Sequence, residues 1–413
     1  MKKTDVRRDP GKLLSKAVML FFFSAFLLLG CRDFAWQGFA LAAAVPAAVW
    51  VGTHLIPRLF PADRLLLSLT NFLCGLGILV LYDTNPAYAY HQAVYYGVGL
   101  AGMLVCIYAI RCIRSWHALI LLMMPISLAL LALPVFFGRV TYGAKNWIYV
   151  GGVSFQPSEL VKLALLFVVS YYMSRRKMLP WLFFSVGCLG MLMLQSDLGT
   201  ALLYYGVTLL LYYASSSNLL LTCAGLGGGA GAAVLGYKMF AHVKRRVAVW
   251  RNPWADYDNS GYQIVQSLMA IVSGGFFGVG LGLGSPKTIP IYHTDFIFSV
   301  ICEQFGVIFG LCVLLVYVAI IWRGATIAMS ARYSFHSLLA MGVTLMLGLQ
   351  TFVIIGGVIK LIPLTGVTMP FVSYGGSSLV SSMALMGLLQ GVASLNEDDL
   401  AEDMRIADEG AGL

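Results

Sequence analysis

Residues 117–137 read HALILLMMPISLALLALPVFF, a stretch with no side chain that is fully charged at neutral pH. A helix of about 20 such residues crosses the roughly 30 Å of hydrocarbon in a bilayer. The apolar character is continuous rather than alternating, and hydrocarbon offers no partner to unpaired backbone groups, so the run predicts a helix and not a barrel strand. Comparable runs occupy 14–31, 36–56, 65–82, 91–110, 158–173, 179–195, 198–213, 218–239, 295–321, 335–361 and 373–394. The expectation is an all-α polytopic membrane protein of about twelve transmembrane helices, in one membrane domain. Composition agrees: 59% of residues are hydrophobic and 11% charged, against roughly a quarter charged in soluble domains.

The net charge of +9 does not point to nucleic acid, because the basic residues lie in short clusters between apolar runs, where they act as topology signals. Lys2, Lys3, Arg7, Arg8, Lys12, Arg58, Arg64, Arg111, Arg114, Arg175 to Lys177, Arg323 and Arg332 all fall on one side, which is then the cytoplasm. Both termini face that side, and a long loop of about 240–294 faces outward. The acidic tail, residues 395–413, is expected to be a disordered cytoplasmic extension. The eight cysteines lack zinc or disulfide spacing and read as packing residues. Leu28-Leu29-Gly30-Cys31 loosely resembles a lipoprotein cleavage box, but an uncleaved first helix is the simpler expectation. Gly225 to Gly231 reads as a helix-packing face.

Ionisable groups at membrane depth cost roughly 2.5 to 3.5 kcal/mol each on insertion scales, so the few present need a reason. Glu159 and Lys162 stand at i,i+3 spacing on one helix face, either as a structural ion pair or as part of a polar cavity for a charged substrate. Asp197 and Asp295 each begin a span, where a carboxylate can cap the helix, act chemically, or do both. Lys244, Arg245, Arg246, Arg251 and Lys287 make the outer loop net positive, which suits a diphosphate or an anionic head group. Trp147, Trp250 and Trp254 read first as interfacial anchors.

An ordered set of motifs runs through these positions: Gly143-Ala144-Lys145-Asn146-Trp147, Phe155-Gln156-Pro157-Ser158-Glu159 with Lys162, and Gln195-Ser196-Asp197-Leu198-Gly199-Thr200-Ala201. They continue with Gly261-Tyr262-Gln263, Ser273-Gly274-Gly275, His293-Thr294-Asp295-Phe296-Ile297-Phe298 with Glu303, and Pro370-Phe371-Val372-Ser373-Tyr374-Gly375-Gly376-Ser377-Ser378. The set resembles the FtsW/RodA/SpoVE family of shape, elongation, division and sporulation proteins, over about residues 64–394. That resemblance implies a ten-helix core, with residues 1–63 adding a cytoplasmic N-terminus and two helices.

It further implies polymerisation of lipid II into glycan strands at the outer face of the bacterial cytoplasmic membrane, beside a class B penicillin-binding transpeptidase and among membrane lipids. Asp295 is the expected catalytic residue, as a general base or as the ligand of a divalent cation, Mg2+ or Mn2+. Glu159, Lys162, Trp147, Lys145, Arg245, Arg246, Gln263 and Ser377 are the expected substrate-binding set, the cations among them facing the leaving diphosphate. One-step displacement would invert the anomeric centre. Glu303, two turns beyond Asp295, is too distant for a retaining carboxylate pair. Asn146, Thr365 and Lys287 depart from residues common in the family. A lipid II flippase and a non-catalytic scaffold are the competing expectations.

Overall fold

The computed structural model describes residues 10–141, 143–151 and 153–411. Its helices are α1 (Pro10–Asp33), α2 (Trp36–Leu59), α3 (Arg64–Thr84), α4 (Pro86–Cys112) and α5 (His117–Phe137). A small antiparallel sheet follows, with strands β1 (Arg139–Thr141), β2 (Ala144–Val150) and β3 (Val153–Phe155) in that order. Next come α6 (Pro157–Ser174), α7 (Met178–Leu194), α8 (Leu198–Ser216) and α9 (Leu219–Met239). The chain ends with α10 (Ala241–Arg251), α11 (Tyr262–Gly274), α12 (Ile297–Ser330), α13 (Ser334–Val358) and α14 (Gly376–Ala411).

Ten helices among the described residues are long and apolar enough to cross a membrane. The expected spans at 158–173 and 179–195 are also helices but fall outside that group. Helix α6 carries Glu159 and Lys162 in its first two turns, and α7 is apolar but only 17 residues long. The outer stretch expected as a loop of 240–294 contains α10 and α11, and residues 139–155 form a sheet where no strand was expected. The tail is likewise not disordered through 395–411: α14 continues to Ala411. Extending a formed helix avoids the cost of nucleation, and Arg111 and Arg332 reach Asp398 and Asp403 at 2.8 and 3.6 Å.

Helices α3 and α14 are buried nearly all round and form the centre, flanked by α4, α12 and α13. Close approach is set by small residues. A Cβ at Gly387 of α14 would meet the Met103 carbonyl oxygen of α4 at 2.5 Å. Asp63 caps α3 by accepting from Leu66 N at 3.0 Å, and Arg323 of α12 and Gln390 of α14 bind the same residue, which locks three helices at one end. Helices α1 and α2 are no loose appendage. Phe22 and Phe26 of α1 are fully buried, their rings 6.0 Å from Phe72 and Tyr82 of α3 respectively. On α9, Gly225 and Gly229 receive Leu209 and Tyr205 of α8, while Gly227, Gly228 and Gly231 face open space. The packing expectation therefore holds for one i,i+4 pair of that glycine run.

Candidate active site

Asp295 lies in the turn before α12 and is not its cap, since the N-cap position is Phe296 and no side chain caps there. Three main-chain and side-chain contacts hold this turn against the segment that follows α13. His293 O accepts from Tyr374 N at 2.8 Å, Thr294 O accepts from Ser373 Oγ at 2.6 Å, and the His293 ring lies 4.9 Å from Tyr88 and 5.7 Å from Tyr374. Two motifs distant in sequence are thereby joined.

Arg246 arrives from α10. Its Nη1 donates to Thr365 O at 2.7 Å, and Trp250 Nε1 one turn later donates to Lys360 O at 3.1 Å, so α10 is fastened over residues 360–366. Between Arg246 and Asp295 stands Gly366, at φ +75, a left-handed conformation that side chains disfavour. A Cβ there would lie 3.5 Å from Arg246 Nη2 and 3.7 Å from Asp295 Oδ2. Burial pushes the Asp295 carboxyl up to about 6, while the Thr294 side chain and the Arg246 charge pull it the other way. Arg246 in turn is lowered by burial and raised by Asp295 and Asp197.

Asp197 is a cap and more. Its Oδ1 accepts from Thr200 N at 3.1 Å, and its Oδ2 accepts from Asn146 Nδ2 at 2.8 Å and Gln156 Nε2 at 3.1 Å. It thus ties β2, the residue before α6 and the start of α8 into one corner, close enough to act on Arg246. Asn146, one of the departures from the common family residues, supplies a neutral donor here.

The remaining expected residues separate. Lys162 Nζ is spent on Glu159 Oε2 at 2.7 Å and Gln350 Oε1 at 3.1 Å, and Ser381 Oγ donates to the same Glu159 oxygen. Gln350 passes the connection to Thr368 O at 2.8 Å, and Thr368 Oγ1 meets Ser378 Oγ at 2.6 Å. This buried chain supports the 365–378 segment from below. Lys145 Nζ donates to Val135 O at 2.6 Å, satisfying a carbonyl in the last turn of α5. Trp147 is half-buried on β2 opposite Arg139, Arg245 is exposed, Gln263 is half-buried on α11, and Ser377 Oγ is buried without a partner. Glu303 turns to the stretch between α11 and α12, where its Oε1 accepts from Ser285 N at 2.9 Å. Sequence reading missed Gly366 and Thr365 as the floor between the two charges; their only signal was a glycine after a polar residue in an otherwise apolar stretch.

The family model for the FtsW/RodA/SpoVE group, described as cell cycle proteins, matches residues 69–398. The chain belongs to that family. Among its relatives, the peptidoglycan glycosyltransferase RodA of Mycobacterium tuberculosis is 33% identical over 376 residues, covering 82% of this chain and 80% of the relative. Stage V sporulation protein E of Bacillus subtilis is 32% identical over 359 residues, covering 80% and 96%. Similar solved structures include a chain studied for the coordination of polymerization and crosslinking by a peptidoglycan synthase complex, at TM-score 0.69 and 27% identity over 82% of this chain and 98% of that one. The Thermus thermophilus rod shape determining protein RodA follows at TM-score 0.60 and 28% identity, with coverage of 82% and 98%.

Proposed function

We propose that this multi-pass membrane protein is a peptidoglycan glycosyltransferase that polymerises lipid II into glycan strands at the outer face of the cytoplasmic membrane, with Asp295 as its catalytic carboxylate and both termini in the cytoplasm. The observation that carries the residue assignment is the Asp295 cleft itself: a half-buried carboxyl, free of capping duty, raised to about 6 and facing a guanidinium across a glycine. A base tuned toward neutrality is a better proton acceptor than an ordinary carboxylate while still ionised at pH 7.

In this reading Asp295 takes the proton from the acceptor sugar hydroxyl as that oxygen attacks the anomeric carbon of the lipid-linked donor. The bond from that carbon to the diphosphate breaks, and the attack from the opposite face inverts the centre. Arg246 lies where it can meet negative charge on the departing diphosphate, and exposed Arg245 extends the positive field. Lys162 acts at a distance, holding the 365–378 segment through Gln350 and Thr368.

Among the described residues no three His, Cys, Asp or Glu side chains form a metal-binding group. Asp295 offers one hard oxygen donor, which fits a Mg2+ or Mn2+ ion that draws its other ligands from water and substrate phosphates. Such an ion would neutralise charge on the diphosphate when bound. A class B penicillin-binding transpeptidase is the partner that fits a polymerase of this family.

The experiment supplies labelled lipid II to the purified protein with such a partner, with and without divalent cation, for wild type and Asp295→Asn. Glycan chains from the wild type and none from the folded variant are expected. Translocation without chains would replace the polymerase with a flippase, and substantial activity of Asp295→Asn would remove Asp295 from its role.

A further inference from the structure

The helical pair that precedes the family-matched residues reaches the outer stretch through one side chain. Arg32, in the last turn of α1, donates from Nη2 to Asp83 Oδ1 at 3.1 Å, and from Nε and Nη2 to Asp33 at 2.8 and 3.2 Å. Asp83, near the end of α3, has a side chain only 5% exposed, and its other oxygen accepts from Gln304 Nε2 of α12 at 2.7 Å. Asp83 and Gln304 lie within residues 69–398, and Arg32 lies before them.

The same guanidinium stands against Gly282, where a Cβ would come 1.7 Å from Arg32 Nη1 and 2.6 Å from Asp83 Oδ1. Gly282 belongs to residues 275–285, the strap that leaves α11 and leads toward Asp295. Main-chain bonds attach this strap to α12: Val279 N to Glu303 O at 2.9 Å, Gly280 N to Gln304 O at 3.0 Å, and Val307 N to Gly275 O at 2.9 Å. They exist because α12 is broken at Gly306, whose φ of 87 and ψ of 164 free the Glu303 and Gln304 carbonyls and the Val307 N–H from the helical ladder.

We propose that Arg32 is a positioning residue for glycan polymerisation: by binding Asp83 and seating Gly282, it holds the 275–285 strap on the first turns of α12 and so fixes the turn that presents Asp295. A nearly buried carboxylate that serves two helices needs a cationic partner, and the guanidinium meets Asp33 through Nε and Nη2 and Asp83 through Nη2. The added helices thereby act on the site of Asp295. Misplacement of a reacting group by about 1 Å can cost on the order of a hundredfold in rate, so a loosened strap is expected to register in turnover before it registers in substrate binding.

The proposal rests on the polymerase reading, and its test separates the two. Wild type, Arg32→Met and Arg32→Lys are purified with the partner transpeptidase. Lipid II polymerisation gives kcat and KM, amide exchange is followed over residues 275–285, and thermal unfolding is recorded. Arg32→Met is expected to lower kcat about tenfold with KM little changed, to speed exchange in the strap, and, because it leaves Asp83 with only Gln304, to lower the unfolding temperature while the protein stays folded at the assay temperature. Arg32→Lys is expected to recover part of kcat. An unchanged kcat, a change confined to KM, a loss that tracks global unfolding, or unaltered strap exchange would each overturn the proposal. An inactive wild type counts against the polymerase reading, and the exchange result then still decides whether Arg32 holds the strap.

Discussion

Arg246 faces Asp295 across the bare Cα of Gly366, so the two charges share a cleft with no side chain between them. Burial favours the neutral acid, the Thr294 side chain and Arg246 favour the carboxylate, and the balance lies at about 6. A base must be ionised, so polymerisation is expected to rise with pH through about 6 and level off above it, whereas an ordinary Asp would already be ionised near 4. Arg246→Met removes one of the two influences that lower the pKa and leaves the Thr294 side chain, so the midpoint should move upward. Rate against pH for the two proteins checks this, and an unmoved midpoint would show that Arg246 does not tune Asp295.

Gly366→Ala tests the floor of that cleft. The left-handed φ of +75 costs an L residue roughly 1 to 2 kcal/mol, and the new methyl enters the space between guanidinium and carboxylate. The expected result is a loss of polymerisation of about tenfold or more, larger than the strain alone would bring through unfolding. Activity and thermal unfolding measured on one preparation distinguish the two effects.

Removing one charge from the Glu159 and Lys162 pair leaves the other buried and unmatched. Lys162→Met is expected to destabilise the protein by about 3 to 5 kcal/mol, and adding Glu159→Gln should recover most of the loss. Unfolding of the single and double variants in one detergent provides the comparison. A double variant no more stable than the single would mean that the pair is not the source of the effect.

Asp197 performs three hydrogen-bonding tasks, and its substitutes divide them. Asp197→Ala is expected to cost roughly 2 kcal/mol or more, from a lost cap and from stranded amides at Asn146 and Gln156. Asp197→Asn should cost less, because Asn caps well and the neighbouring amides can turn to accept. Unfolding measurements that rank the two variants equally would contradict this division of roles.

The helical membrane fold was legible because uncharged runs such as 117–137 leave few alternatives in hydrocarbon. The two helices flanking Arg175 to Lys177 tested the limits of hydropathy, since α6 devotes its first turns to an ion pair and α7 is short. The carboxylate at 295 stood out in the sequence because few ionisable groups stand beside spans, and the resemblance to the family is what singled it out from a helix cap. Its relation to Arg246 was not legible, because that depends on α10 folding back over residues 360–366, a contact between segments more than a hundred positions apart. The surroundings of Lys162 were hidden for a similar reason: sequence placed it beside Glu159 but gave no sign that Gln350 and Ser381 would complete the pairing. The sheet at 139–155 also escaped notice, since its strands are three to seven residues long and carry no clear alternation.

The break at Gly306 also settles a question of length. At about 1.5 Å per residue, the 34 residues of α12 would make a rod of roughly 51 Å, far more than the roughly 30 Å of hydrocarbon. Division at Gly306 leaves residues 307–330 to match the slab and turns 297–305 into a short collar beyond it. Glu303 and Gln304 then lie in that collar, buried among protein partners that include Ser285 N and Asp83, and the insertion penalty that would otherwise select against such side chains in a spanning helix no longer applies to them.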